Sequence, residues 1–438
     1  MAKKKIFVWS DSPTRSTGFG IVAKNLLRDV HKEFDLEMLG INNHGDHKYN
    51  TTKWFLYSTD PMMDPYGFKK LPMLINRTKP DLIFLFQDIF HVDSVLPAVQ
   101  EAAPNVPIIV YYPIDGVPVS KTYFNLEKSL NVKKHFIYSE FADRELTKSY
   151  PNLKTPREIL YHGIDFKSFH VLPEESLAKA RKVVQWENKF VMTSVNVFQP
   201  RKFIMATLRA GALLRYGYKR CECGNYYALT DETCPLNGCG PTNVTSDVPP
   251  KEDVLLYMHM GTTNQMMGPG KVNLLPAHAL NAGWSNNYHK DKSLVLLKPN
   301  RNLALEPFSE EDLNVIYNLT CVNVTSAVGE GFGFNLAEAS ACGTTTIAPN
   351  NSVIDEILGG TGHVVKNCGI FTMGMDCGHM RPIVDIGAMV DALELEYQKW
   401  VDNDRCKVIN EAAIKNVRSR FHWGDKRDQL MKAFRRYA

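Results

Sequence analysis

The sequence predicts an α/β protein made of two doubly wound, Rossmann-like domains facing a cleft, with a small zinc-ribbon-like insertion in the second. Three observations predict it. Short, continuous apolar runs lie between turn residues, as strands do when both faces of a parallel sheet are covered. Those runs alternate with stretches of helical apolar spacing. The alternation also begins afresh after residues 166–190, so the 438 residues divide into successive domains.

In the first half, "KIFVWS" reads as a strand and "GFGIVAKNLLRDVHK" as a helix, with Ile21, Val22, Leu26, Leu27 and Val30 on one face. "DLIFLFQD" (81–88), "PIIVYYPID" (107–115), "HFIYSE" (135–140) and "REILYHG" (157–163) are further strands. In the second half, "FVMTSVNV" (190–197) precedes a helix over "FIMATLRAGALLRYG". "VLLYMHM", "SLVLLKP", "TCVNVTS" and "GTTTIAP" follow as strands. "SEEDLNVIYNL" (309–319) is a helix with Ser309 as N-cap and acidic residues in its first turn. "DIGAMVDALELEYQKWVDN" is another.

Composition excludes several classes. Hydrophobic residues make up 44% and charged residues 22%, as in ordinary globular proteins. No apolar run reaches the ~18–20 residues that span a membrane. Asp11 interrupts the only run near the N-terminus, so a cytosolic protein is expected, in the host cytoplasm if the chain is viral. Nine cysteines in this length are not a disulfide scaffold. The net charge of +4 tolerates an anionic ligand without requiring one.

The stretch "SAVGEGFGFNLAEASACG" carries most of the chemistry. A strand should end near Ser326. Gly329, Gly331 and Gly333 allow positive φ and close backbone approach, and "FNLAEASAC" then forms a helix with Gly343 at its end. Such a turn delivers backbone N–H groups and a helix N-terminus to an anion, suiting a diphosphate. It is neither a P-loop, since no lysine follows, nor GxGxxG, since Phe334 stands where the third glycine belongs. Glu330 lies in the turn and Glu338 about one and a half helical turns beyond Gly333. Carboxylates accept hydroxyl pairs, so the two can hold different parts of one nucleotide-sugar.

This stretch resembles the signature of the retaining, two-domain (GT-B) glycosyltransferases related to glycogen synthase and sucrose synthase, with their E-x7-E motif. The match is Glu330-Gly331-Phe332-Gly333, Glu338-Ala339, Ala341, Gly343 and Ile347-Ala348. The resemblance implies that Glu330 contacts the donor sugar and Glu338 the ribose hydroxyls, with Gly331, Phe332, Gly333, Asn335 and Leu336 also at the donor. "STGFGIVAKNL" resembles the family's N-terminal glycine loop, which places Gly18 and Gly20 at the donor. "ILYHGIDF" resembles its inter-domain element, with His162 for the usual asparagine, and "FHWGDKRDQLMKAFRRYA" its C-terminal helix. Arg201 and Lys202 in "NVFQPRKF" match the basic part of the donor-phosphate site, although Val197 stands where the family has a further arginine.

The implied organisation is an acceptor domain over 1–170, a nucleotide-sugar domain over 171–415 and a helix over 416–438 that returns to the first domain. No catalytic metal is expected, because Arg201, Lys202 and the helix end supply the positive charge. Asp115, and Asp88 or His91, are acceptor-side candidates at strand ends, with Asp115 taken as catalytic beside Glu330 and Lys202.

Residues 218–250 break the α/β pattern. Cys221, Cys223, Cys234 and Cys239 are spaced C-x-C-x10-C-x4-C, which suits one structural zinc, with Gly224 and Gly240 in the tight turns. Cys368, Cys377 and His379 form a looser group, read as structural. Lys219, Arg220, Tyr226 and Tyr227 mix cations with rings, as nucleic-acid surfaces do. Some phages encode transferases of this general fold that modify bases of their own DNA, so a modified base is one candidate acceptor. Two other readings remain: a non-catalytic sugar- or nucleic-acid-binding protein on a degenerate transferase fold, and a nucleotide-sugar epimerase.

Overall fold

The computed structural model describes residues 2–43, 53–235, 239, 243–260, 274–297, 308–374 and 376–438. Gly240, and residues 298–299 of the strand expected at "SLVLLKP", lie outside the described residues. The chain forms two compact units: one holds the chain up to Asp165 with Thr372–Met380 and Phe421–Ala438, the other Phe166–Phe371 and Arg381–Arg420.

The first unit runs β1 (Lys5–Asp11), α1 (Gly18–Leu26), β2 (Asp35–Ile41), β3 (Phe55–Ser58), α2 (Lys70–Thr78), β4 (Leu82–Phe86), α3 (Ile89–Ala102), β5 (Ile108–Tyr112), α4 (Phe124–Lys128), β6 (Val132–Ile137), α5 (Glu140–Ser149) and β7 (Arg157–Ile159). Its strands form one parallel sheet in the order β3-β2-β1-β4-β5-β6-β7. Phe7 and Trp9 of β1 join Leu39, Ile83, Leu85, Val110 and helix α3 in the core on one face. On the other, Phe84, Phe86, Tyr111 and Tyr138 make a ladder of rings. The C-terminal helix Trp423–Tyr437 closes that face, setting Phe434 edge-on to Phe84. Both faces are therefore covered, and this is why the strands read as unbroken apolar runs.

Two strands of the first unit escaped the sequence reading. In β2, "DLEMLGI" is interrupted by Glu37, which is half-buried by pairing with Lys5 at 2.9 Å and accepting from the Tyr57 hydroxyl at 2.6 Å. β3 is a four-residue edge strand. The first helix is shorter than expected. It ends at Leu26, and the rest of the predicted segment holds only a 3-10 turn over Val30–Lys32.

The second unit runs α6 (Glu174–Val184), β8 (Phe190–Val195), α7 (Ile204–Tyr216), β9 (Tyr218–Cys221), β10 (Tyr226–Ala228), β11 (Val244–Val248), β12 (Val254–His259), α8 (Leu275–Asn281), β13 (Leu294–Leu296), α9 (Glu310–Leu319), β14 (Val322–Val324), α10 (Phe334–Ala341), β15 (Thr345–Pro349), α11 (Ile354–Leu358), β16 (His363–Val365), β17 (Asn367–Thr372), β18 (Met380–Val384), α12 (Ile386–Asp402) and α13 (Glu411–Arg420). The main sheet is parallel, ordered β13-β12-β8-β14-β15-β16. Helices α7 and α12 cover one face through Leu208, Leu213, Met389 and Trp400. The other face carries Trp186, Val191, Tyr257 and Ile316. The insertion forms a separate antiparallel sheet, β10-β9-β11.

Candidate active site

In each main sheet the strand order reverses at one place, and open α/β sheets bind ligands there, beyond the carboxyl ends of the strands. In the second unit the reversal lies between β8 and β14. After β8 the chain makes a 3-10 turn over Pro200–Lys202, and Phe203 takes φ +44° before α7 begins. This turn sets Arg201 and Lys202 beside the loop that follows β14. The Val328 N–H donates to the Arg201 carbonyl at 2.9 Å, and the Ser326 hydroxyl donates to the Phe203 carbonyl at 2.8 Å.

Glu330 receives both cations. The Lys202 ammonium donates to Oε1 of Glu330, and Arg201 stands 3.5 Å from Oε2. Arg201 also donates to the Gly329 carbonyl at 3.0 Å. Lys202 is 8% exposed and Glu330 5%, so their ion pair is buried, with Arg201 as a second counter-charge to the carboxylate. The Glu330 N–H is held by the Ser352 hydroxyl at 2.9 Å, and Ser352 in turn donates to Asn351. Two cations at a helix start oppose its dipole, and here the countercharge comes from the chain's own Glu330.

The glycine turn differs from the sequence expectation. Only Gly333 of the three glycines is left-handed, with φ +80°, and it caps α10; Gly329 and Gly331 are not. Phe332 and Leu336 are buried at 3% and 0%, so they are core residues beneath the turn. A Cβ on Gly333 would meet Leu336 at 2.8 Å. The Asn335 amide donates to the Val195 carbonyl at 3.2 Å, tying α10 to the end of β8. At the start of α10 the Leu336 N–H turns back to the Gly333 carbonyl at 3.0 Å, and the helix dipole adds partial positive charge at this end.

Glu338, farther along α10, accepts a hydrogen bond from the Tyr317 hydroxyl of α9 at 3.1 Å. Burial pushes its carboxyl up to about 7, with Glu310 adding to the rise and the Tyr317 bond opposing it. Sequence reasoning missed Tyr317, Asn351 and Ser352. Tyr317 sits in the apolar pattern of a helix, and its role appears only once α9 and α10 are placed side by side.

In the first unit the order reverses between β1 and β4. Asp11 ends β1 and is buried; it accepts from Gln87 at 2.9 Å and from Thr17 at 2.5 Å. Burial raises its carboxyl above the ordinary range, against the pull of those bonds. The sequence offered a signal for it, an aspartate closing the first strand. Thr17 caps α1 by accepting from the Gly20 N–H at 3.0 Å, so that donor is engaged in the cap. A Cβ on Gly20 would lie 2.4 Å from the Arg15 carbonyl, whereas Gly18 has open space around it.

Asp115 is half-buried in the loop after β5, and Asp88 stands at the N-cap position of α3 without a side-chain cap bond. His91 lies among Tyr66, Phe68 and Phe90, whose ring centres are 4.2–5.5 Å away, and burial lowers its pKa to about 4. His162 is core: it bonds the Tyr111 hydroxyl at 2.8 Å and stacks with Trp423. An open groove of about 810 Å³ lies at the other ends of the strands, along Lys3, His31, Asp35, Trp54 and Tyr57, and contains none of the expected site residues.

The four insertion cysteines converge, their sulfur atoms lying within 4.8 Å of one another. Among the described residues no other group of three or more metal-ligating side chains forms, so Cys368, Cys377 and His379 do not make a second centre. The residues expected at a nucleic-acid face have partners within the chain. Arg220 pairs with Asp391 at 3.2 Å, Tyr226 donates to the same carboxylate at 2.9 Å, Lys219 reaches the Asp231 carbonyl and Tyr227 is 1% exposed.

No family model and no curated protein matches the chain. Solved structures do. Sucrose-phosphate synthase from Thermosynechococcus elongatus superposes with a TM-score of 0.65 at 15% identity, over 99% of each chain. HepE of Anabaena, solved with UDP and glucose, gives 0.61 at 13% identity over 99% of each chain. A trehalose-phosphate synthase from Burkholderia xenovorans gives 0.62 at 11%, over 100% of this chain and 99% of its own. At such identities the likeness is one of fold, and the chain consists of two parallel-sheet α/β units of the GT-B kind.

Proposed function

We propose that the protein is a glycosyltransferase that moves a sugar from a nucleotide-sugar to an acceptor hydroxyl with retention of anomeric configuration. The observation that carries this is the Arg201–Lys202–Glu330 cluster at the strand-order reversal of the second sheet, under the N-terminus of α10. It combines anion-binding charge with a hydroxyl acceptor in one place. Support also comes from the fold shared with sugar-transferring enzymes, one of them solved with UDP and glucose.

In this reading the diphosphate lies at Arg201, Lys202 and the α10 N-terminus, which stabilise the charge that grows as the anomeric C–O bond breaks. Glu330, fixed by two cations and by Ser352, accepts hydrogen bonds from donor-sugar hydroxyls. Glu338 accepts from the ribose hydroxyls. No metal takes part at the diphosphate in this proposal, and a metal at the four cysteines is structural. Gly18 remains our candidate for backbone approach to the donor, and Asp115 for the acceptor hydroxyl and its proton.

The first unit offers Tyr66, Phe68 and Phe90, each 36–38% exposed, around an uncharged His91 near the carboxyl ends of β3 and β4. Such rings suit an acceptor with apolar faces. A modified base in DNA has no observation in its favour, because the cations and rings of the insertion are committed elsewhere.

Incubating the protein with several nucleotide-sugars and a panel of hydroxyl acceptors tests the proposal, with product linkage read by NMR. Retained linkage to an acceptor is expected. Epimerised donor would replace the proposal with an isomerase, and absence of any turnover with tight donor binding would leave a binding protein. Lys202→Ala and Glu330→Ala should each lower transfer at least ~100-fold, as expected for lost transition-state charge stabilisation; full activity in either would sink the site.

A further inference from the structure

We propose that Cys221, Cys223, Cys234 and Cys239 hold one zinc ion as four thiolates, and that this metal clasps the insertion onto helix α12. The first part rests on geometry. A tetrahedral zinc with Zn–S bonds of about 2.3 Å places its sulfur atoms about 3.8 Å apart. The Cys223 and Cys234 sulfurs are 3.8 Å apart, and all four lie within 4.8 Å of one another. None is joined in a disulfide.

The surrounding backbone is shaped for such a site. Gly224, at φ +85°, turns the chain between β9 and β10, and its N–H donates to the Cys221 carbonyl at 2.9 Å. The Asn225 amide approaches the Cys234 sulfur at 3.4 Å. A donor aimed at sulfur stabilises a thiolate and orients it, as outer-shell partners of metal ligands do.

The second part follows from size. The insertion's own buried cluster is Cys221, Tyr227 and Cys234, with Cys239 and Val244 against it. That is too little apolar surface to order three short strands, and small modules of this kind need a cross-link or a metal. What the strands do instead is dock. The Tyr218 and Tyr226 rings stack at 5.2 Å with the Arg220 guanidinium over both. Arg220 and Tyr226 then meet Asp391 of α12, and Tyr218 donates to Glu394 at 3.1 Å. Lys251, just past β11, pairs with the same Glu394 at 2.8 Å. β9 thus carries a metal ligand at one end and the docking residues along its length, so fixing Cys221 fixes the register of Arg220 and Tyr218.

The test uses the whole 438-residue chain with no nucleotide-sugar present, so its outcome is independent of the transfer proposal. Elemental analysis should give one zinc per chain. After chelation, added Co2+ should produce thiolate-to-cobalt charge-transfer bands and the intense visible bands of a tetrahedral thiolate site. Cys223→Ala should lose the metal, while Cys406→Ser, outside the cluster, should keep it. Melting temperature should fall on chelation of the parent and recover with zinc, a readout that stands even if the variant fails to fold. Metal-free protein without cobalt bands, or iron in place of zinc, overturns the site. Zinc that can be removed with no change in melting overturns the clasp.

Discussion

At the residue scale the two glutamates of one motif sit in opposite electrostatic settings. Glu330 is buried against two cations, whereas Glu338 accepts from the Tyr317 hydroxyl, forms no ion pair among the described residues, and is pushed up to about 7. The sequence made both legible as a spaced pair but could not show this contrast. Lys202 and Glu330 are 128 positions apart, and Tyr317 lies 21 before Glu338. The contrast has a measurable sign. Between the ordinary carboxyl value of 4.5 and about 7, the folded chain holds a proton at Glu338 that the unfolded chain has lost. Its contribution to stability is complete below 4.5 and declines as pH rises through 7. Glu338→Gln removes that decline, so the variant's melting temperature should gain on the parent's between pH 4.5 and 8. Ribose hydroxyls donating to the ionised carboxylate impose the reverse trend on binding. Donor affinity, measured by calorimetry, should tighten as pH rises to about 7, and in the variant should be weak and flat. A parallel pH trend in parent and variant would remove Glu338 from the donor site.

At the element scale, legibility followed burial and capping. Helix α9 was readable from "SEEDLNVIYNL", and Ser309 and Asp312 form a reciprocal capping box at its start. β2 was not readable, because its partly buried Glu37 breaks the apolar run and only tertiary partners explain it. The glycine turn was readable as a turn, but which glycine bends left-handed depends on how Leu336 packs beneath it. The α9 cap matters beyond its own helix, since α9 presents Tyr317 to Glu338. Ser309→Ala leaves the Asp312 N–H without its acceptor and should cost about 1 kcal/mol. The variant should show that loss in denaturant midpoint with an unchanged slope. A loss under ~0.3 kcal/mol, below the range for caps, would mean that the fold and not the box holds this end of α9.

For the whole molecule, the sequence showed two rounds of strand–helix alternation, and its C-terminal resemblance implied a helix over 416–438 returning to the first domain. Phe421–Ala438 does belong with the first unit, as does Thr372–Met380, whose short turn-bounded run carries no such signal. Each unit has its own sheet and its own apolar core, around Trp9, Leu85 and Val110 in one and Met192, Leu208 and Trp400 in the other. Separate cores unfold as separate cooperative steps unless their coupling is strong. Calorimetry should therefore show two transitions. The proposed donor residues Arg201, Lys202, Glu330 and Glu338 all lie in the second unit, so a nucleotide-sugar should raise that unit's transition by mass action. At 100 times its dissociation constant the gain is about 2.7 kcal/mol, or roughly 5–10 °C for a unit of this size. Hydrogen exchange should place the added protection on β8, β14 and α10 and leave the β1–β7 sheet unchanged. Zinc removal should lower the same transition, because α12, on which the insertion docks, forms part of that core. A ligand shift confined to the first transition would move the donor site to the β1–β4 reversal around Asp11 and leave Glu330 and Lys202 as a structural pair.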